Sequence, residues 1–318
     1  MKVFSVLAAV LVSASMAGAQ YAAAGENPPE RGVADTPTPP PKPTLPKGTP
    51  AEQVAALIMQ HAQALNAFRK LCEAAKTEKE LESLEHLYPD RDAYSTLLVQ
   101  IAEQNPKDPA AVNALLSVAR NGTRTPGDDD SPHARAEGIL IRDYLKHPKI
   151  GALCMELRRE AGRDTRAVQI IRRVLADNPN KEAQAAAAFA LAKALRTRAQ
   201  WARNLRNADP KLLAQLANGW GNDNLADLRR GDTAALEQEA DELLERFVKD
   251  EDYAAATIRY GVSQLKLGDL ADRELFEVRH LRPGKPAPEI EGEDIDGKPM
   301  KLSDFRGKVV LLDFWGHW

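Results

Sequence analysis

What the chain has little of narrows its reading before any motif does. Only two cysteines, Cys72 and Cys154, occur in 318 residues, and they do not form a Cys-x-x-Cys pair. Aromatic residues make up 5% of the chain, while Ala, Leu, Glu and Arg crowd its middle, a balance that favours helices over a β-sandwich. There is no excess of positive charge: the formal net charge is -3, so no global basic field draws the protein to nucleic acid or an anionic membrane. His61, His86, His133, His147 and His280 show neither i, i+4 pairing nor ligand grouping, and no metal site is assigned to them. The apolar run Val3 to Val12 is shorter than the ~20 residues an ordinary membrane span needs.

What is present begins with an export label. Lys2, the apolar run and Ala17-Gly18-Ala19 before Gln20 have the layout of a cleaved signal peptide, residues 1–19. Export to a periplasmic or extracellular, oxidising compartment follows, and no Cys stands at the cleavage point to carry a lipid anchor. Residues 20–48 then form a linker. Pro28-Pro29, Pro37, Pro39-Pro40-Pro41, Pro43 and Pro46 give an extended, partly polyproline II segment that cannot bury a core. A spacer explains it better than a ligand for a proline-reading domain.

With 43% hydrophobic and 28% charged residues, the remaining length suggests about two domains on a ~150-residue prior. The first, 49–281, reads as helical and solenoid-like. Thr49-Pro50-Ala51-Glu52 has the capping-box arrangement, and Thr77-Glu78-Lys79-Glu80, Asp108-Pro109, Ser131-Pro132, Asn178-Pro179 and Asp209-Pro210 are further helix starts. Glu182 to Arg206 is an Ala-rich stretch that lets neighbours approach closely, Thr233 to Val248 is amphipathic, and a last helix is expected over Ser263 to Val278. The spacing is too irregular for a ~34-residue repeat. Such helical arrays more often bind proteins than transform small molecules.

Sharper readings inside this domain have plainer rivals. Cys72 and Cys154 could pair in an oxidising compartment, but each sits among apolar neighbours, so two buried thiols explain them equally well. Asp128-Asp129-Asp130 lacks the alternating spacing of a calcium loop and reads as a solvated loop. Asn121-Gly122-Thr123 matches a glycosylation acceptor, yet Asn-Gly after Val112 to Ala119 is more simply a helix C-cap.

From 282 to 318 the composition changes. Pro283 to Pro288 is rigid, Asp296-Gly297 marks a hairpin turn before the strand-like Pro299 to Leu302, and Ser303 to Gly307 is one helical turn with a Ser cap. Val309 to Phe314 reads as a strand buried on both faces.

Four spaced motifs in this region, Gly284-Lys285-Pro286-Ala287-Pro288, Asp296-Gly297-Lys298, Leu302 to Lys308 and Asp313 to Trp318, resemble the start of a TlpA-like protein disulfide reductase. That family belongs to the thioredoxin-fold redoxins, which include the alkyl hydroperoxide reductase/thiol-specific antioxidant group. The fold class implied is mainly α: a helical domain followed by the N-terminal portion of an α/β thioredoxin-like domain.

The resemblance implies a nucleophilic Cys directly after Trp318, and selenocysteine encoded by UGA is the expected alternative at that position. It also implies that Asp313 exchanges a proton with the resolving thiol, and that Trp315 and Trp318 form the docking surface and active-site approach. The run Leu311-Leu312-Asp313-Phe314 should desolvate Asp313 and raise its pKa. No cofactor is called for. The implied partners are protein disulfide substrates and an upstream thiol reductant, with a protein partner on the helical domain. A helical binding module with a degenerate redoxin remnant, and a peroxiredoxin-like peroxidase, are the alternatives. The 318 residues themselves are expected to give no redox turnover.

Overall fold

The computed structural model describes residues 39–121, 130–260 and 263–315; the expected signal peptide, most of the linker, Gly122 to Asp129 and Gly316 to Trp318 lie outside the described residues. Of the described residues 70% are helical and 5% are in strands, which makes the chain mainly α. The chain divides into two compact units, with the division between Val118 and Ala119.

The first unit opens with α1 (Pro50–Ala74), and its start follows the capping chemistry of the sequence. Thr49 Oγ1 accepts from the Glu52 amide, while Glu52 Oε2 accepts from the Thr49 amide at 2.8 Å, satisfying two orphan donors. Gln53 Nε2 donates to the Pro46 carbonyl at 2.8 Å and ties the preceding segment to the helix. After α2 (Glu78–Ser83) and a 3-10 turn at Glu85–Leu87, α3 (Arg91–Gln104) packs against α1. Phe68, Cys72 and Leu87 form one apolar cluster, with Tyr88 edge-on to Phe68 at 5.2 Å between centroids. The following helix, α4 (Pro109–Asn121), begins where Asp108 Oδ1 accepts from the Ala110 amide.

The second unit is built around α8 (Lys181–Leu205). Against it pack α6 (Gly151–Ala161), α7 (Thr165–Asp177) and α11 (Thr233–Lys249). Alanine sets this geometry. Ala183, Ala185 to Ala188, Ala190, Ala192 and Ala194 are all buried, so α8 is enclosed on nearly every side by neighbours that approach its backbone. At the α6 contact even a methyl group is too much: a Cβ on Gly151 would lie 2.9 Å from that of Ala186. Between the helices of this unit, α5 (Pro132–Asp143) brings Glu137 to Arg166 of α7, with 2.7 Å between charged atoms.

Around the C-terminal end of α8 lie α9 (Pro210–Trp220) and α10 (Asn222–Arg230), with Leu205, Leu225 and Leu228 buried and Trp201 edge-on to Trp220 at 4.7 Å. Buried Arg198 of α8 reaches the Ala161 carbonyl at 3.3 Å, Thr165 Oγ1 at 3.2 Å and the Asp227 carboxylate. Burial pulls its pKa down, and Asp227 and Asp164 oppose the shift.

Two departures from the sequence reading lie in this unit. Instead of one helix over Ser263 to Val278, the chain forms α12 (Glu251–Ala255), an antiparallel hairpin of β1 (Thr257–Tyr260) and β2 (Ser263–Lys266), and then α13 (Leu267–Phe276). The hairpin returns the chain on itself, so that Leu267 N donates to Ala256 O at 2.8 Å. At the expected start Asn178-Pro179, Asn180 is the N-cap, with Oδ1 accepting from the Ala183 amide. Asn178 is freed for a different task. Its buried amide donates to the carbonyls of Leu145 at 2.7 Å and His147 at 3.2 Å.

Candidate functional site

The stretch carrying the redoxin-like motifs forms a hairpin and a 3-10 turn before Lys308. β3 (Glu291–Glu293) and β4 (Pro299–Lys301) pair antiparallel, with Glu291 opposite Lys301. The turn between them forms where the sequence places Asp-Gly. Asp294 Oδ1 accepts from the amides of Asp296 at 3.0 Å and Lys298 at 2.9 Å, and Gly297 takes φ 78, a conformation that favours glycine.

A 3-10 turn follows at Leu302–Phe305. Its expected Ser cap is absent, because Ser303 lies inside the turn; Asp304 Oδ2 instead accepts from the Lys301 amide at 3.0 Å. Ser303 N donates to Glu289 Oε1 at 3.0 Å, and Leu302 N to Ile290 O at 2.9 Å. The side chain and amide of Ser303 hold the Glu289 carboxyl below its usual pKa range. This clasp had no motif to reveal it, since Glu289 and Ser303 are fourteen residues apart. Gly307, at φ 82, then releases the chain from the turn.

Val309 to Phe314 differs from the buried strand expected of it. The segment has no regular secondary structure, and its side chains are exposed, with Leu311 at 94%, as is Trp315 after it at 83%. The physical reason is pairing: a central strand needs neighbours on both edges, and among the described residues β3 and β4 pair only with each other. Asp313 is therefore exposed, not desolvated as the apolar run predicts, because no sheet excludes water from it. Trp318 lies outside the described residues, and of the three expected site residues the structure describes Asp313 and Trp315, both exposed.

Neither thiol offers an alternative centre. Cys72 and Cys154 are free and buried. Burial raises the pKa of Cys72 and pushes that of Cys154 up to about 12, so neither favours thiolate. Among the described residues no group of three or more His, Cys, Asp or Glu is placed to hold a metal ion. Among the same residues no helix is long and apolar enough to cross a membrane.

No family model matches the chain, and no solved structure matches it. Curated relatives match short stretches. The thiol-disulfide oxidoreductase ResA of Bacillus anthracis is 41% identical over 51 residues, 16% of this chain and 27% of that protein. ResA of Bacillus subtilis (strain 168) is 47% identical over 38 residues, 12% and 21% of the two chains. ResA of Geobacillus kaustophilus (strain HTA426) is 49% identical over 35 residues, 11% and 20%. The chain thus spans about a quarter of the length of the curated relatives it matches. Over that part, it is similar to thiol-disulfide oxidoreductases of the thioredoxin-like redoxin kind.

Proposed function

We propose that the protein is an exported thiol-disulfide oxidoreductase of the TlpA-like kind, with a solenoid-like helical domain over 49–281 and a thioredoxin-like domain from 282 onward. The observation that carries this reading is the ordered motif set from Gly284 to Trp318, and the 41% identity over 51 residues with an oxidoreductase supports it. In the family pattern the nucleophilic Cys, or a selenocysteine in its place, comes directly after Trp318.

Its thiolate attacks one sulfur of a protein disulfide, forming a mixed disulfide and releasing the other substrate sulfur as a thiolate. The resolving thiol, three residues on, gives its proton to Asp313 and attacks the mixed disulfide. The substrate leaves with two thiols, and the enzyme keeps the disulfide. An upstream dithiol then returns two electrons. Trp315 and Trp318 shield the sulfurs and contact the substrate, while the helical domain positions it. No cofactor enters the cycle.

A second reading, a helical protein-binding module with a redoxin remnant, is favoured by the small share of the chain, 16%, that the matched stretch covers. Expressing the gene with the codons that follow Trp318 separates the two. The oxidoreductase reading expects catalytic insulin-disulfide reduction, lost when the nucleophile is replaced by Ser. Asp313→Asn should slow resolution of the mixed disulfide with little loss of folding. If insulin and peroxide both go unreduced while the helical domain retains a partner, the binding module is the correct reading.

A further inference from the structure

We infer that the packing of α1 against α3 is an acid-sensitive latch with His61 as its sensor. His61 lies on α1 with 8% exposure, its ring stacked on Tyr94 of α3 with centroids 4.8 Å apart and planes at 26°. Its Nε2 is buried and has no hydrogen-bond partner. The neutral ring tolerates this, because its buried apolar face is stacked on an aromatic neighbour. The imidazolium does not: it carries N–H on both nitrogens, and the Nε2 donor would sit desolvated and unpaired.

The groups facing His61 from α3 add to the difficulty. Tyr94 is neutral, and Arg91 contributes a positive charge that disfavours a second one. Arg91 is held in place by Tyr88, whose hydroxyl accepts from Nη2 at 2.7 Å and whose ring lies 5.9 Å from the guanidinium carbon. Burial first, and Arg91 second, hold the His61 pKa below the ordinary histidine value.

The sign follows from linkage. The folded pKa lies below the unfolded value of ~6.5, so the latch contributes fully above ~6.5 and loses strength as pH falls toward the folded pKa.

Hydrogen exchange read by mass spectrometry, at about pH 7.5 and about pH 5.5 where carboxylates stay largely ionised, tests the latch. After correction for intrinsic exchange rates, peptides from residues 50–74 and 91–104 should lose protection severalfold at the lower pH. Peptides from 181–205 should keep theirs. His61→Phe retains a ring to stack on Tyr94 but takes no proton, and should abolish the loss. Arg91→Gln removes the nearby charge and should reduce it. Equal protection of the wild-type peptides at both pH values, or the same loss in His61→Phe, would overturn the inference.

Discussion

Glu137 places a fully buried carboxylate on α5, at 0% side-chain exposure, where it meets Arg166 of α7 at 2.7 Å. The approach is one of charge to charge without the alignment of a hydrogen bond, so the carboxylate depends on that cation. Arg166→Ala should cost about 2–3 kcal/mol in urea unfolding, below the ~3–5 kcal/mol of a wholly buried pair because Arg166 is itself partly solvated. Adding Glu137→Leu should recover most of the loss, since an apolar side chain has no charge to strand. No sequence signal reveals this pair: both residues sit on helices whose outer faces carry many charges. Asn178 was hidden similarly, because a helix-start reading accounts for an Asn before Pro without asking what its side chain reaches.

At the scale of elements, capping chemistry made most boundaries legible. Thr49, Thr77, Ser131 and Asp209 each accept a helical amide at the helix starts read from the sequence. The β1–β2 hairpin was hidden because its strands have four residues each, too short for a period of two to stand out from the neighbouring helical pattern. Val309 to Phe314 failed for the opposite reason. Its composition expresses a strand clearly, but a strand also needs partners, and composition cannot supply them. Close helix approach was legible in the alanines of α8 and leads to a prediction for α6. Gly151→Val should destabilise the protein by about 1–3 kcal/mol, because the new side chain meets Ala186 and the Ala183 backbone, 3.2 Å from the Cβ position. Gly151→Ala should cost less, and paired denaturant curves would show the ranking.

For the molecule as a whole, the mainly helical class follows from composition, and the redoxin resemblance rests on motifs confined to its last residues. Of the three expected site residues, Asp313 and Trp315 fall on an exposed segment. The chemistry they would serve requires a low-pKa thiol beside them, whereas both thiols present are buried with raised pKa values. The 318-residue chain should therefore reduce insulin no faster than the reductant alone, as followed by turbidity. Turnover above that background would mean that Cys72 or Cys154 becomes accessible.

The alanines of α8 also bear on how the second unit is assembled over time. An alanine gives up almost no side-chain freedom on burial and has the strongest intrinsic preference for the helix. A 25-residue helix rich in it can form before its neighbours arrive, at a length where isolated helices begin to persist. The element enclosed last in space is then the one organised first in time, and α6, α7 and α11 condense onto a rod that already exists. Destabilising substitutions within α8 should consequently slow folding, whereas those on the outer faces of its neighbours should mainly hasten unfolding.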